Sequence, residues 1–570
     1  MRIFPTRTLR ARALALAAAG TLVVGAVAAC DAGTSGTSSG EASSSTVAID
    51  NSGLGAEEVL AENLSSAETA ALADATWEAS EEVAITLEGD TATASGNGVT
   101  VDGTTVTITR PGTYRVSGTL DDGGLVVASP ADGVVRLVLD GADITSSTGA
   151  AIDVQDADQV SVVLAGGSTN RLEDADTYAD TTSDNAANAA LYSTADLALS
   201  GDGALEVVGN ANDGITGKDG LVIAAGDITV QAADDAVRGK DYLVVAGGVI
   251  DVEAGGDGLK SDADDDETAG YVALTGGEVT VEAGSDGVQG FTDVAVTGGT
   301  LTVTGSEEGI EAATVVQSGG DVDITSIDDG LNATVKEAET DTATGDATED
   351  DATSGDGQVP EASGDGEMPA PPADGAAPQG GGGMRGDMAA EEGASLTVTG
   401  GTLHVDAQGD GLDSNGVTVI SGGEIVVEGP STSGNGALDS AGGTTVSGGT
   451  LLAVGSTGMA ESPDDASTQG WVAATVDATL EPGTDIALTD ADGTVVASWT
   501  LTKQAASVVY SGPGITDDAP YTLNADGVEV GTATAGVATA GGMGAGSGGR
   551  GPGAGGRVPS GTTTTDDDAA

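Results

Sequence analysis

Short runs in which apolar and polar residues alternate dominate the chain from about Val83 onwards. Residues 99–120 read VTVDGTTVTITRPGTYRVSGTL, with period-two alternation interrupted by glycine turns. This pattern is typical of half-buried β-strands joined by tight turns. From Leu205 a longer layout recurs, in which short β-type segments are separated by a Gly-Gly turn and an acidic turn. The hydrophobic pattern therefore predicts an all-β chain built from repeats.

The acidic turns define the period of the repeat. Asp213, Asp235 and Asp257 lie 22 residues apart, and the longer step to Asp286 contains an insertion after Ser261. About 22 residues with three short strands per repeat is typical of a right-handed parallel β-helix with one rung per repeat. The consensus of leucine-rich repeats is absent, and calcium-binding nonapeptide arrays have a far shorter period.

Changes in composition divide the chain into segments. We predict a signal peptide over 1–29, a flexible tether over 30–82, the parallel β-helix over 83–460, a small antiparallel β domain over 461–533 and a disordered tail over 534–570. The repeat stops between 334 and 394, where an acidic stretch is followed by a Pro/Gly-rich one, and we predict a disordered insertion there. The antiparallel domain is expected to cover the open end of the β-helix, which otherwise exposes edge strands.

The first thirty residues resemble a bacterial lipoprotein signal. Basic residues precede an apolar segment that ends in Val27-Ala28-Ala29-Cys30. The resemblance implies cleavage before Cys30, lipid modification of that cysteine and a position on the extracellular face of the cell membrane. We expect membrane contact only through this lipid. The alternative is an ordinary secretory signal with an incidental cysteine.

The charge balance restricts the function. The 570 residues include 17 basic and 91 acidic ones, for a formal net charge of −74. Such a chain lacks the basic footprint that nucleic acid requires, so we predict no nucleic-acid partner. Cys30 and His404 are the only cysteine and histidine, which argues against catalysis by a nucleophile–histidine pair.

Stacked acidic turns predict a metal site. Equivalent positions of neighbouring rungs lie about 4.8 Å apart, where two carboxylates repel by roughly 1 kcal/mol in water and about 3 kcal/mol at an effective dielectric of 20. Ca²⁺ relieves this repulsion and takes six to eight oxygen ligands. The alternative is that these acids form Asx-type turns before glycine. The predicted ligands of Ca²⁺ are Asp213, Asp234, Asp235, Asp257, Asp262, Asp286, Glu308 and Asp329.

The few basic residues concentrate beside these acids. Three positions after the turn acid the sequence has Thr216, Arg238, Lys260, Gln289 and Glu311, and five after it come Lys218 and Lys240. These cations either neutralise the acids or bind the carboxylates of an acidic polysaccharide. Under the second interpretation the predicted carbohydrate-binding residues are Lys218, Arg238, Lys240, Tyr242 and Lys260, with Tyr242 as a stacking ring for sugar.

Several repeat blocks carry a family resemblance. NDGITGKDGLVI, DDAVRGKDYLVVAGG, GDGLKSD, GDGLDSNG, GPSTSGNGALD and GSTGMAESP resemble the blocks of the secreted carbohydrate-binding β-helix family described for a clostridial cell-surface protein. The resemblance spans roughly residues 85–530. It implies a fold similar to that of pectate lyases, calcium binding, affinity for acidic plant polysaccharide and cellulose, and no enzymatic activity.

We therefore predict a monomeric, lipid-anchored, non-catalytic protein that binds acidic or plant cell-wall polysaccharide with the help of calcium. A pectate-lyase-like enzyme is one alternative, because its chemistry needs Ca²⁺ and a strong base, for which Arg238 beside Asp235 and Asp257 is the candidate. A structural surface protein or adhesin without a sugar ligand is the other.

Overall fold

The computed structural model describes residues 51–64, 76–179, 181–183, 185–336 and 390–538. The predicted signal peptide, Cys30, most of the 334–394 insertion and nearly all of the C-terminal tail lie outside these residues. In the described ranges almost every regular element is a β-strand. None of the helices in these ranges has the length and hydropathy needed to cross a bilayer.

The first part of the chain contains one turn of α-helix, one 3₁₀ turn and the strands of the initial rungs. These are α1 (Ala56–Val59), the 3₁₀ turn Ala79–Glu81, β1 (Val83–Gly89), β2 (Ala92–Ala94), β3 (Val99–Asp102), β4 (Thr105–Ile108), β5 (Gly112–Leu120), β6 (Gly124–Ala128), β7 (Val134–Thr145), β8 (Ile152–Asp156), β9 (Gln159–Leu164) and β10 (Thr169–Glu173).

The repeat region supplies three strands to each rung. Its strands are β11 (Ala189–Ser193), β12 (Asp196–Gly201), β13 (Ala204–Gly209), β14 (Asp213–Gly217), β15 (Gly220–Ile223), β16 (Asp227–Ala232), β17 (Val237–Gly239), β18 (Tyr242–Val245), β19 (Val249–Ala254), β20 (Leu259–Ser261), β21 (Tyr271–Leu274), β22 (Glu278–Ala283), β23 (Val288–Gly290), β24 (Asp293–Val296), β25 (Thr300–Gly305), β26 (Ile310–Ala312), β27 (Thr314–Gln317), β28 (Asp321–Ser326), β29 (Leu331–Ala333), β30 (Ser395–Val398), β31 (Thr402–Ala407), β32 (Leu412–Ser414), β33 (Val417–Ile420), β34 (Glu424–Glu428), β35 (Leu438–Ser440), β36 (Thr444–Val446) and β37 (Thr450–Gly455).

Each rung strand pairs in parallel with its counterpart one rung away. The first strands of the repeat rungs, from β11 to β35, form a 13-stranded sheet with β3, β4, β6 and β8, and we call its outer surface the site face. The second and third strands, such as β18 and β19, belong to a 26-stranded sheet that closes the coil. The predicted parallel β-helix is therefore confirmed.

The core is a set of apolar rows that run along the coil. Ile215, Val237, Leu259 and Val288 are paired in register on consecutive rungs and almost completely buried. Each such side chain contributes about 1.5–3 kcal/mol on burial, so a long row of them replaces a large aromatic core. At the turn before β19, Gly248 has φ +97°, and a Cβ there would lie 2.8 Å from the carbonyl oxygen of Gly226. Glycine is required there for both reasons.

The coil continues across the predicted insertion. β29 ends at Ala333, and β30 begins at Ser395 and pairs in parallel with β27. Thr314 faces Ser395 in that pairing, although the two residues are far apart in sequence. The rungs on either side of residues 337–389 therefore stack directly on each other.

An antiparallel region covers the C-terminal end of the coil, as predicted. Its strands are β38 (Trp471–Leu480), β39 (Asp485–Thr489), β40 (Val495–Thr500), β41 (Ala505–Ser511), β42 (Pro520–Ala525) and β43 (Val528–Thr534). β41 pairs antiparallel with both β37 and β38, whereas β39, β40, β42 and β43 form a separate four-stranded sheet. Because β41 occupies the edge of the last rung strand, that edge is not available to another chain.

Residues 51–64 are packed against the coil, although the sequence predicts a flexible tether over 30–82. Ala56 and Val59 of α1 are buried against Ala295 and Val316 on the outer surface of β24 and β27. The tether prediction is wrong for this segment, because its apolar side chains fit small residues on those strands. We call residues 51–64 the docked segment.

Four rungs hold the docked segment by hydrogen bonds. Side chains of β24 and β21 take part in three of these hydrogen bonds. Asn51 and Asn63 both donate to the Asp293 carboxylate, at 3.2 and 2.8 Å, and the Tyr271 hydroxyl donates to the carbonyl of Leu64 at 2.7 Å. The backbone amides of Ala56 and Gly53 donate to Ser318 and Thr397 on the two rungs that follow.

Candidate functional site

The turn acids on the site face form a ladder of hydrogen bonds. The backbone N–H of Asp257 donates to Oδ1 of Asp235 at 2.9 Å, and the N–H of Asp286 donates to Oδ1 of Asp257 at 3.0 Å. Asp410 and Asp329 repeat the arrangement at 2.6 Å. One oxygen of Asp235, Asp257 and Asp329 therefore satisfies the backbone of the next rung, which is a structural role between rungs and differs from the local Asx-type turn. We call this row of turn acids the turn column; it consists of Asp213, Asp235, Asp257, Asp286, Glu308, Asp329 and Asp410.

A second row of side chains runs beside the turn column on the first strands. Thr216, Arg238, Lys260, Gln289 and Glu311 pair in register on successive rungs. Asn332, Asp413 and Asp439 continue the same row across the insertion. We call it the adjacent column. Thr216, Lys260 and Gln289 of this column contact the Oδ2 atoms of turn acids. The charge of the residue in this column therefore sets the charge balance of its rung.

Cations of the adjacent column neutralise the acids near β17 and β20. Lys260 Nζ lies 2.8 Å from Oδ2 of Asp257 and 3.2 Å from Oδ2 of Asp235, and both of these carboxylates are almost fully buried. Arg238 binds Asp262 through two nitrogens, with Nε–Oδ1 at 3.1 Å and Nη2–Oδ2 at 2.5 Å. Two of the predicted sugar-binding cations are therefore engaged with acids that were predicted to bind metal.

Two further predicted metal ligands have different surroundings. Asp213 is buried and accepts hydrogen bonds from Thr216, Asn188 and Asn212. Burial, followed by the nearby Asp235, raises the pKa of Asp213 to about 7. Asp234 is exposed beside the turn column. Among the described residues, no acid on the rungs of β14, β17 and β20 belongs to a group of carboxylates close enough together to hold a metal ion.

The charge balance reverses at β23 and β26. Asp286 and Glu308 of the turn column and Glu311 of the adjacent column place one carboxylate oxygen each within 4.8 Å of one another. Burial raises the pKa of Glu308 to about 8, with Glu311 as the next cause. Burial and Asp257 raise the pKa of Asp286 as well. Lys336 forms an ion pair with Glu311 from the edge of the cluster. A bound cation would favour the charged forms of Asp286 and Glu308.

This cluster, which we call the carboxylate cluster, fits a hard cation. Oxygens on opposite sides of a Ca²⁺ ion lie about 5 Å apart, because Ca–O distances are ~2.4 Å. Asn332 donates from Nδ2 to both oxygens of Glu308 at 3.1 Å, while its own Oδ1 is buried and accepts no hydrogen bond among the described residues. Gln289 donates to Asp286 at 3.0 Å. Beside the three carboxylates, Asn332 thus has an amide oxygen that lacks a hydrogen-bond donor among the described residues.

Acids accumulate again on the rungs that flank the insertion. Burial, followed by Asp329, raises the pKa of Asp413 to about 8. Burial also raises the pKa of Asp329 to about 7, although the hydrogen bond from the Asp410 N–H opposes that shift. Burial and Asp439 raise the pKa of Glu461 to about 7. The excess of carboxylates therefore continues along the site face to the last rungs.

Tyr242 does not face the site. It is 5% exposed and stacks on Tyr271, with ring centroids 5.5 Å apart. The two rings form an apolar cluster on the outer surface of the larger sheet, with Leu60 of the docked segment packed against it. The prediction that Tyr242 stacks on sugar is wrong, because the ring is covered by protein.

Lys218 and Lys240 are the predicted sugar-binding residues that remain available. Neither forms an ion pair with a described residue. Lys218 is half-buried, and burial followed by the charges of Arg238 and Lys240 lowers its pKa. The three cations therefore lie close enough to repel one another, and an anionic ligand would relieve that repulsion.

Sequence reasoning did not identify all of the possible metal ligands, and it did not identify one wall of the site. Glu311, Asn332 and Asp413 occupy the adjacent column, three positions after a turn acid, and that spacing was sufficient to find them as possible ligands. It also missed the connection between β10 and β11, whose described residues, among them Tyr178, Thr181 and Asn188, form a wall beside Lys218. The only signal for that wall is the length of the loop, since three residues make the equivalent connection between β13 and β14.

The fold is a parallel β-helix whose site face carries the turn column of acids. Beside it lie three basic residues, Lys218, Arg238 and Lys240, which we call the cationic patch. A family model described as "Carbohydrate-binding domain-containing protein" matches residues 102–356. The resemblance to a carbohydrate-binding family that the repeat blocks indicate is therefore confirmed.

Two known proteins are similar to parts of the chain. A protein of Acetivibrio thermocellus named "Carbohydrate-binding domain-containing protein" is 40% identical over 137 residues, which are 24% of this chain and 48% of the relative. The chain thus spans about half the length of that curated relative. A solved structure, described as the polysaccharide lyase-like protein from C. thermocellum in a gadolinium derivative, is 32% identical. It covers 45% of this chain and 97% of its own, with a TM-score of 0.37.

Proposed function

We propose that the protein binds an acidic polysaccharide of the plant cell-wall type, such as polygalacturonate, without cleaving it. The observation that carries this proposal is the cationic patch on the site face of a chain with net charge −74. Lys218 and Lys240 have no ion-pair partner among the described residues, whereas Arg238 and Lys260 do. The match to a carbohydrate-binding family supports a polysaccharide as the polyanion.

The proposed role of calcium is to make the acidic part of the site face compatible with such a ligand. Asp286, Glu308 and Glu311 would hold the ion, with the amide oxygen of Asn332 as a neutral ligand. Bound Ca²⁺ neutralises buried carboxylates and can share the carboxylates of a uronate chain. These side chains bind and orient the cation, and no bond of the sugar needs to break.

The absence of catalysis is part of the proposal. The lyase alternative needs a strong base, and its candidate, Arg238, is bound at both Nε and Nη2 by Asp262. An arginine held in this way positions a carboxylate and is poorly placed to remove a proton. A polygalacturonate assay that follows the ultraviolet absorbance of unsaturated product tests this point, because a lyase produces a steady rise that depends on calcium.

We further propose that the protein is exported and held at the extracellular face of the membrane by a lipid on Cys30. This rests on the sequence of residues 1–30, which lie outside the described residues. Metabolic labelling with a radioactive fatty acid tests it. Wild-type protein should incorporate label, and the Cys30→Ser variant should not.

The central experiment is a pull-down of the protein on insoluble polysaccharides, with calcium and with excess chelator. We expect retention on calcium-stabilised polygalacturonate and release by chelator or high salt, since exposed charge pairs are screened. A neutral, uncharged glucan of equal mass is the control matrix. Equal recovery from all matrices, or none from any, would contradict the proposal and leave the adhesin alternative.

A further inference from the structure

A pocket adjoins the cationic patch at the N-terminal part of the site face. The described residues between β10 and β11 (174–179, 181–183 and 185–188) and the turn at Asn212 line a half-open pocket of about 540 Å³. Small-ligand sites usually have roughly 300–1,000 Å³. Its lining includes Asp176, Tyr178, Thr181, Asn188, Asn212 and Lys218. Aromatic, hydroxyl, amide, carboxylate and cationic groups thus meet in one concave site.

The polar walls of this pocket are held in place by buried acids. Asn188 and Asn212 each donate to the carboxylate of Asp213, at 2.8 and 3.0 Å. The Tyr178 hydroxyl donates to Oδ2 of Asp174 at 2.7 Å, which fixes the ring in the loop wall. A site whose side chains are already positioned loses less conformational entropy on binding.

Lys218 gives the pocket its charge preference. It lines the cavity, is half-buried and forms no ion pair with a described residue. Arg238 and Lys240 are close enough to act on its charge. A carboxylate that entered the pocket would supply the missing counter-ion, and the polar walls would bind hydroxyl groups around it.

We propose that this pocket takes one uronate residue of the polysaccharide, with the sugar carboxylate at Lys218 and the sugar ring against Tyr178. This inference rests on the proposed function and makes it more specific. It implies that a defined sugar unit is recognised in a concave pocket, in addition to the charge attraction of the open site face. It also implies that esterification of that carboxylate abolishes recognition.

The test is calorimetric titration of the full chain, in calcium-containing buffer, with trigalacturonate and with its methyl ester. The ester keeps the shape of the sugar and removes its charge. For wild type we expect the ester to bind at least tenfold more weakly. Lys218→Met should weaken trigalacturonate binding by a similar factor, and it should add nothing further for the ester, because both changes remove the same interaction.

Matched variants distinguish the pocket from general charge attraction. Arg110→Met removes an exposed cation that lies outside the cationic patch and does not line the cavity, so it should weaken trigalacturonate binding less than threefold. Tyr178→Ala removes the ring wall and should weaken both ligands. The melting temperature of each variant verifies folding.

Failure of this inference differs from failure of the proposed function. If wild type is retained on polygalacturonate while Lys218→Met and Arg110→Met bind trigalacturonate equally well, the pocket assignment is wrong and the proposed function stands. If wild type binds neither the polymer nor trigalacturonate, both are wrong. Preference for the ester would overturn the role of Lys218 by itself.

Discussion

Replacement of Lys260 by methionine tests the charge balance of the ladder directly. Lys260 is the shared counter-ion of Asp235 and Asp257, whose side chains are 6% and 3% exposed. Burial already raises the pKa of Asp235 to about 6, although Lys260 opposes that shift. Without the ammonium group, two neighbouring buried carboxylates share a site with no cation, and at neutral pH at least one must take up a proton.

The magnitude follows from two independent estimates. Removal of one partner from a buried ion pair typically costs about 3–5 kcal/mol. Protonation at pH 7 of an aspartate with an ordinary pKa near 3.9 costs about 4 kcal/mol, at 1.36 kcal/mol per pH unit. An unfolding entropy of ~2.1 cal/mol/K per residue, over about 420 described residues, converts this range into a loss of roughly 3–6 °C in melting temperature.

The assay is thermal unfolding followed by circular dichroism, with Lys240→Met as the matched control. Lys240 has no ion-pair partner among the described residues, so its replacement should shift the midpoint by less than 1 °C. The double variant Asp257→Asn, Lys260→Met removes one charge of each sign and keeps an oxygen for the N–H of Asp286, so it should recover much of the loss. The Lys260→Met deficit should also shrink at pH 5, where protonation is less costly.

Two outcomes would refute this reasoning. If Lys260→Met melts together with Lys240→Met, the ammonium group does not stabilise the ladder. If Lys260→Met unfolds normally but no longer binds polygalacturonate, Lys260 serves the ligand, as one interpretation of the sequence predicts. We expect unchanged polysaccharide binding.

Three further predictions concern other parts of the molecule. Chelation should lower the melting temperature of wild type but change that of Glu311→Gln much less, with exposed Glu307→Gln as control; no response of wild type to chelator would contradict a calcium site. The nearby carboxylates of Glu428 and then of Asp323 raise the pKa of His404 to about 9. The stability that His404 adds over His404→Gln should therefore be complete below pH ~6.5 and disappear as pH rises through about 9, and melting curves across that window would show a constant difference if the ring were uncharged. Gly248→Ala combines a left-handed φ with a Cβ 2.8 Å from backbone, so denaturant titration should show a loss of at least about 1–2 kcal/mol; a neutral effect would mean that the turn relaxes.

The period of the sequence was enough to predict which residues stack. The order Thr216, Arg238, Lys260, Gln289, Glu311 is paired in register as predicted, because each rung repeats the strand before it. Period alone does not indicate which oxygen of a turn acid is used by the next backbone amide. The excess of negative charge lies at Asp286, Glu308 and Glu311, rather than evenly along the turn column. It lies there because the adjacent column supplies cations near β17 and β20 but a carboxylate at Glu311.

Other parts of the site depend on contacts that no local pattern records. Tyr242 follows an acidic turn in the sequence and was predicted to meet sugar, yet Tyr271 and Leu60 cover its ring. The cover includes the docked segment, which is almost two hundred residues away in the chain. The wall that contains Tyr178 likewise depends on how a long loop folds back over Asn212. Such long-range packing requires the structure.

The position of the docked segment has a mechanical consequence. Asn51 and Asn63 bind Asp293 in the middle of the coil, and residues 53–64 contact the neighbouring rungs, whereas β1 starts only at Val83. A pulling force applied at the N-terminus therefore acts first on this clamp and is distributed over four rungs in shear. The docked segment must detach before the force can separate β1 from β5. It therefore protects the first strand of the coil from tension.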